Sequence, residues 1–93
     1  MHHYSVWKYT LEVDESQDID MPKGSEIISV ETQGESIVIY ALVRPQEEKD
    51  TYRVLVYGTG HDIHLNVTEY KFLGTAKFGN GELMFHVFYK RID

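Results

Sequence analysis

A two-residue alternation of apolar and polar side chains, broken at short intervals by Gly, Pro or Asn, runs through most of this chain. Successive side chains of an extended strand point to opposite faces, so this period predicts strands with one face buried rather than helices. Trp7, Tyr9, Leu11 and Val13 alternate with Lys8, Thr10 and Glu12, which predicts a half-buried strand over 5–13. The acidic stretch Asp14 to Asp20 carries no such alternation and reads as a loop leading to a turn at Met21-Pro22-Lys23-Gly24. Ile27 to Thr32 and Ile37 to Val43 are rich in β-branched residues and flank Gln33-Gly34-Glu35, a hairpin pattern. Arg44 to Asp50 reads as a solvated loop and Tyr52 to Tyr57 as a strand, followed by a glycine-punctuated loop from Gly58 to about Asn66. Tyr70 to Phe78 alternates again, and Gly79-Asn80-Gly81 supplies a hairpin signal ahead of Leu83 to Tyr89.

Six strands in one domain over 1–93, with no amphipathic run long enough for a substantial helix, predict an all-β fold: a small antiparallel barrel or a sandwich. Two strands, Ile37–Val43 and Leu83–Tyr89, are apolar on both faces, with Met84, His86 and Phe88 opposite Leu83, Phe85, Val87 and Tyr89. Such strands need a second cover. A chain of 93 residues buries a limited share of its surface, so the expectation is that a second copy supplies it and the protein is a homo-oligomer.

The chain holds fifteen acids against nine Lys and Arg, a net charge of −6. Nucleic-acid affinity rests on clustered cations, so direct nucleic-acid binding is not expected. Acids concentrate in residues 11–20, at Glu12, Asp14, Glu15, Asp18 and Asp20. This segment reads as a solvated loop, with mimicry of nucleic-acid phosphates before a basic host protein as the sharper alternative. Cysteine is absent, and the N-terminus lacks a basic region followed by an apolar run. The expectation is a cytoplasmic protein with no membrane association.

The residues that stand out chemically cluster around the Tyr57–His64 loop. His61-Asp62-Ile63-His64 can hold a divalent cation if a third ligand such as His86 approaches, but without helical spacing the cluster reads first as a solvated turn. Gly58-Thr59-Gly60 resembles half of a phosphate loop, yet the full glycine pattern is missing and no helix follows, so it reads first as a tight bend after a strand. Should a nucleotide-like molecule bind, Trp7 and Tyr57 are the candidates to stack on its base and Thr59 and His61 to hydrogen-bond its phosphate, with Asp62 and His64 counted among the ligand-binding candidates. None of the five serines sits in a nucleophile elbow. The chain is therefore read as non-enzymatic, with no cofactor and no resident metal.

The segments Trp7-Lys8-Tyr9, Met21-Pro22-Lys23-Gly24, Ala41-Leu42-Val43, Tyr57-Gly58-Thr59-Gly60-His61, Phe72-Leu73-Gly74-Thr75 and Phe85-His86-Val87-Phe88 together resemble a family of short uncharacterised bacteriophage and prophage proteins. The resemblance spans nearly the whole chain. A proline that follows the histidine in the family pattern is Asp62 here, so that turn has no family-wide role to carry over. What the resemblance implies is a phage origin and a compact β-fold. Small phage accessory proteins often counter host defence, by sequestering a nucleotide signal or by blocking a defence protein. The two expectations are thus a binder of a nucleotide-like small molecule and a protein-binding inhibitor, with a structural or replication accessory role as a third.

Overall fold

The computed structural model describes residues 2–92, and among them seven strands form two antiparallel sheets. In chain order these are β1 (Ser5–Leu11), β2 (Gln17–Pro22), β3 (Glu26–Gln33), β4 (Ser36–Val43), β5 (Lys49–Gly58), β6 (Lys71–Phe78) and β7 (Leu83–Ile92). One sheet has the order β1-β4-β3 and the other β2-β5-β7-β6. A single apolar core draws Leu11, Ile27, Ile37, Ile39, Ala41 and Val43 from the first sheet, and Met21, Tyr52, Val54, Val56, Ala76 and Val87 from the second. The two sheets therefore face each other across it. Burying each large aliphatic side chain here contributes on the order of 1.5–3 kcal/mol.

The mainly β, antiparallel reading holds, while the count of six strands and the barrel alternative do not. The additional strand is β2, inside the acidic stretch read as a loop. Ile19 and Met21 point inward, Met21 completely buried, and the intervening acids face outward onto β5. Asp18 takes two hydrogen bonds from Arg53, at 2.9 and 3.1 Å, and Asp20 accepts one from Thr51 at 2.8 Å. These carboxylates are cross-strand partners. The Arg53 guanidinium, by its hydrogen bond to Asp18, holds that carboxyl below the usual carboxylate range.

The sheets meet along one side, where β3 runs beside β6 and the Thr32 hydroxyl donates to the Lys77 carbonyl at 2.9 Å. Glycine at position 74 permits this approach. It lies in a register shift of β6 between Phe72 and Gly74, and a Cβ there would stand 2.7 Å from Val30 Cγ1. On the opposite side the Gln17 amide closes the β1–β2 connection, donating to the Glu12 carbonyl at 2.7 Å and accepting from the Glu12 N–H at 2.9 Å.

The second faces of the two-sided strands are covered largely from within the chain. Leu55 and Tyr57 of β5 lie on the face away from the core, yet both are buried. The segment 59–70 crosses this face. Thr59 ties it to β7 at one end, through an N–H that donates to the Met84 carbonyl at 3.2 Å. At the other end the Lys90 ammonium sits 4.6 Å from the Tyr70 ring centroid and pairs with Glu69 at 3.4 Å. Met84, His86 and Phe88 are half-buried by this arrangement. Across β4, Lys8 reaches from β1 to the Gln33 side chain in β3 at 2.9 Å. Val38 of β4 is also buried. The apolar second faces therefore do not by themselves require another subunit. Beyond Val38, the outer side of the β1-β4-β3 sheet stays open, with Val6 54% and Ile28 50% exposed.

Candidate functional site

Strand register gathers several connections at one end of the sandwich. Gln33 pairs with Ser36, Phe78 with Leu83 and Gly58 with Phe85. Because β3 and β6 lie side by side, the Gly34-Glu35 turn and the Gly79–Glu82 connection project from the same end. The chain leaving β5 bends there as well. The His61 N–H donates to the Gly58 carbonyl at 3.1 Å, and Gly60 takes φ +89° at the third position, the conformation that a type II turn requires. The His61 ring folds back over Gly58, whose missing Cβ would lie 3.0 Å from its Cε1 atom.

Two adjoining clefts open here. The smaller, about 140 Å³, is lined by Gly58, Thr59, His61, Glu82, Leu83, Met84 and Phe85. The larger, about 420 Å³, is lined by Val13, Gly34, Glu35, Phe78, Gly79, Leu83 and Phe85. They share Leu83 and Phe85. Phe78 and Phe85 meet edge to face, 5.9 Å between ring centroids at 76°, an arrangement favoured by their ring quadrupoles. Leu83 and Val13 are 57% and 55% exposed, so the lining presents apolar surface to solvent. Lys and Arg are missing from the lining of both clefts, and Glu35 and Glu82 supply the charge.

His86 sits close behind this end and is fully engaged. The Thr59 hydroxyl is 2.8 Å from Nε2 and the Thr75 hydroxyl 3.1 Å from Nδ1. A neutral imidazole offers one N–H and one lone pair, and a hydroxyl can donate or accept, so these contacts use both ring nitrogens. Together they fix the ring between β6 and the start of the 59–70 segment. Among the described residues no three His, Cys, Asp or Glu side chains gather as a metal site.

The residues singled out from the sequence are thus divided. Thr59 and His61 line the smaller cleft. Tyr57 lies buried beneath the 59–70 segment, and burial, with Glu15 and Tyr70 adding to it, pushes its hydroxyl above the usual tyrosine range. Asp62 and His64 are exposed on the loop and line neither cleft. Trp7 packs against the core from β1, on the other sheet, and does not share a ligand face with Tyr57. Sequence reasoning missed Val13, Glu35, Phe78, Glu82, Leu83 and Phe85 as site residues. The paired phenylalanines on either side of a glycine-rich turn were the available signal, but recognising a cleft also requires the β3–β6 adjacency.

Among the described residues, no helix is long and apolar enough to cross a membrane. Neither curated proteins nor solved structures provide a match to the chain. A family match does exist and extends over residues 3–93. The chain therefore belongs to the family described as a domain of unknown function, DUF7352.

Proposed function

We propose that this protein is a non-catalytic binder of a small molecule, held in the paired clefts at the turn end of the sandwich. One observation carries the reading: an apolar floor built on Phe78, Leu83 and Phe85 adjoins a few polar groups, Thr59, His61 and Glu82, contributed by separate connections. Binding sites typically combine such a floor with a few placed polar groups, in volumes of roughly 300–1,000 Å³. The larger cleft falls within that range. In the phage setting that the sequence resemblance implies, capture of a host signal molecule gives the protein its role against host defence.

The test is to purify the protein from bacteria, heat it and analyse the small molecules it releases, then return them in a thermal melt. A true ligand at about 100 times its Kd stabilises the fold by about 2.7 kcal/mol. The exposed-site variants His61→Ala and Leu83→Asp should abolish that gain while melting like the parent without ligand. Release of nothing, or stabilisation unchanged in both variants, refutes the reading.

A second reading has its own support. The outer face of the β1-β4-β3 sheet leaves Val6 and Ile28 half-exposed, with half-buried Tyr40 and Leu42 beside them. Exposed apolar surface of this kind suits a protein partner, either a second copy or a host protein to be inhibited. Solution mass measured for the parent and for Val6→Lys with Ile28→Lys separates a homo-oligomer from a monomer.

A further inference from the structure

We infer that the ligand of the paired clefts is a small organic cation, an ammonium group carried on an aromatic or aliphatic body, rather than a phosphate-bearing nucleotide. This rests on the small-molecule reading above and names the chemistry of the same site. The smaller cleft contains one carboxylate, Glu82, and the larger contains another, Glu35. Glu82 also bends back toward the wall of the larger cleft: its Oε2 would lie 3.8 Å from a Cβ on Gly79. Its carboxylate thus stands where the two spaces join.

Neither carboxylate has an ion-pair or hydrogen-bond partner among the described residues. Among the described residues, Asp18, Glu69 and Asp50 are the carboxylates seen in ion pairs. Glu35 and Glu82 are therefore available to a ligand's positive charge. The shared floor suits the same ligand. The edge-to-face pair Phe78–Phe85 and the exposed Leu83 offer apolar contact to a ring or alkyl chain, and an aromatic face attracts a cation.

Phosphate meets the opposite conditions. The glycine at 60 leaves backbone room for an anion, but the site supplies no Lys or Arg and its smaller cleft is lined by Glu82 as well as His61. Asp14 and Glu15 add negative charge on the β1–β2 connection beside Val13. The whole chain carries −6, and a field of that sign concentrates cations and repels anions near an acidic cleft.

The experiment is a titration followed by nuclear magnetic resonance, with the full chain and three probes, the first two matched in size and shape. These are 2-phenylethylammonium, neutral 2-phenylethanol and adenosine monophosphate. The ammonium probe should move the resonances of Leu83, Phe85 and Gly79 and bind more tightly than the alcohol, with added salt weakening only the former. Exposed charge pairs contribute about 0.2–1 kcal/mol, so Glu35→Gln and Glu82→Gln should each weaken ammonium binding by roughly 1.4- to fivefold. Alcohol binding should not change in either variant. Equal affinity for alcohol and ammonium, or indifference to both substitutions, overturns the inference while leaving a small-molecule site in place. Tighter binding of adenosine monophosphate does the same. Absence of any shift at the cleft with all three probes also overturns it, and the heat-release experiment then decides the broader reading on separate grounds.

Discussion

Replacing Gly74 with alanine tests the junction on which the cleft geometry depends. The new methyl would stand 2.7 Å from Val30 Cγ1, roughly an ångström inside the favourable separation of two carbons. Val30 cannot readily yield, since it is β-branched and packs against the core. Forcing an extra methyl into such a contact costs about 1–3 kcal/mol. Removing a glycine from the unfolded chain returns about 0.4–1 kcal/mol, which leaves a net loss of about 0.5–2 kcal/mol. For a domain of this size that lowers Tm by roughly 3–15 °C, measurable by circular dichroism. In a Val30→Ala background the clashing atom is gone, and the same substitution should cost nothing further. Gly74→Ala should also shift the resonances of Phe78 and Leu83, because the contact aligns the β6–β7 connection with the β3–β4 turn. A Gly74→Ala protein that melts like the parent, or one equally destabilised with and without Val30, refutes the close β3–β6 approach.

Two other perturbations follow from local chemistry. Asn80 holds φ 59° and ψ 30° between β6 and β7, a left-handed conformation that costs an ordinary residue about 1–2 kcal/mol, so Asn80→Ala should lower the urea midpoint while Asn80→Gly should not. Burial, followed by the Asp50 charge, raises the Tyr52 hydroxyl above the ordinary tyrosine range. Its contribution is therefore intact below pH about 10 and lost as pH rises through the folded value. Tyr52→Phe should flatten the alkaline loss of stability in urea titrations, and an unchanged alkaline limb would contradict the burial of that hydroxyl.

Strands whose alternation was uninterrupted were legible in the sequence. β1 kept Trp7, Tyr9 and Leu11 inward, and the hairpins β3–β4 and β6–β7 formed where glycine-rich turns separated β-branched and aromatic runs. The second hairpin turns through Gly79–Glu82 rather than through a bare two-residue Asn-Gly turn, with the Glu82 N–H donating to the Gly79 carbonyl. β2 was hidden because Asp18 and Asp20 look solvated in isolation. Their strand character depends on Arg53 and Thr51, more than thirty positions away. The same limit hid the cover over Leu55 and Tyr57. An apolar second face in a sequence does not say whether the chain's own loop or another molecule will lie on it.

The candidate site shows that limit most sharply. The loop histidine and threonine were visible because they sit in an unusual glycine-flanked segment, whereas the phenylalanines that complete the cleft looked like ordinary strand residues. Long-range contacts join the two sets: Gly74 against Val30 brings two turns to one end, and Thr59 and Thr75 around His86 fasten the loop beside them. His86, the one strand histidine, spends both ring nitrogens on that fastening. Tyr57 is buried, and that burial raises its hydroxyl above the ordinary tyrosine range. The polar chemistry near the cleft is thus largely committed to holding the walls still. What remains at the opening is apolar surface, one imidazole and two carboxylates without a partner among the described residues, the groups through which the proposed ligand is held by contact and charge.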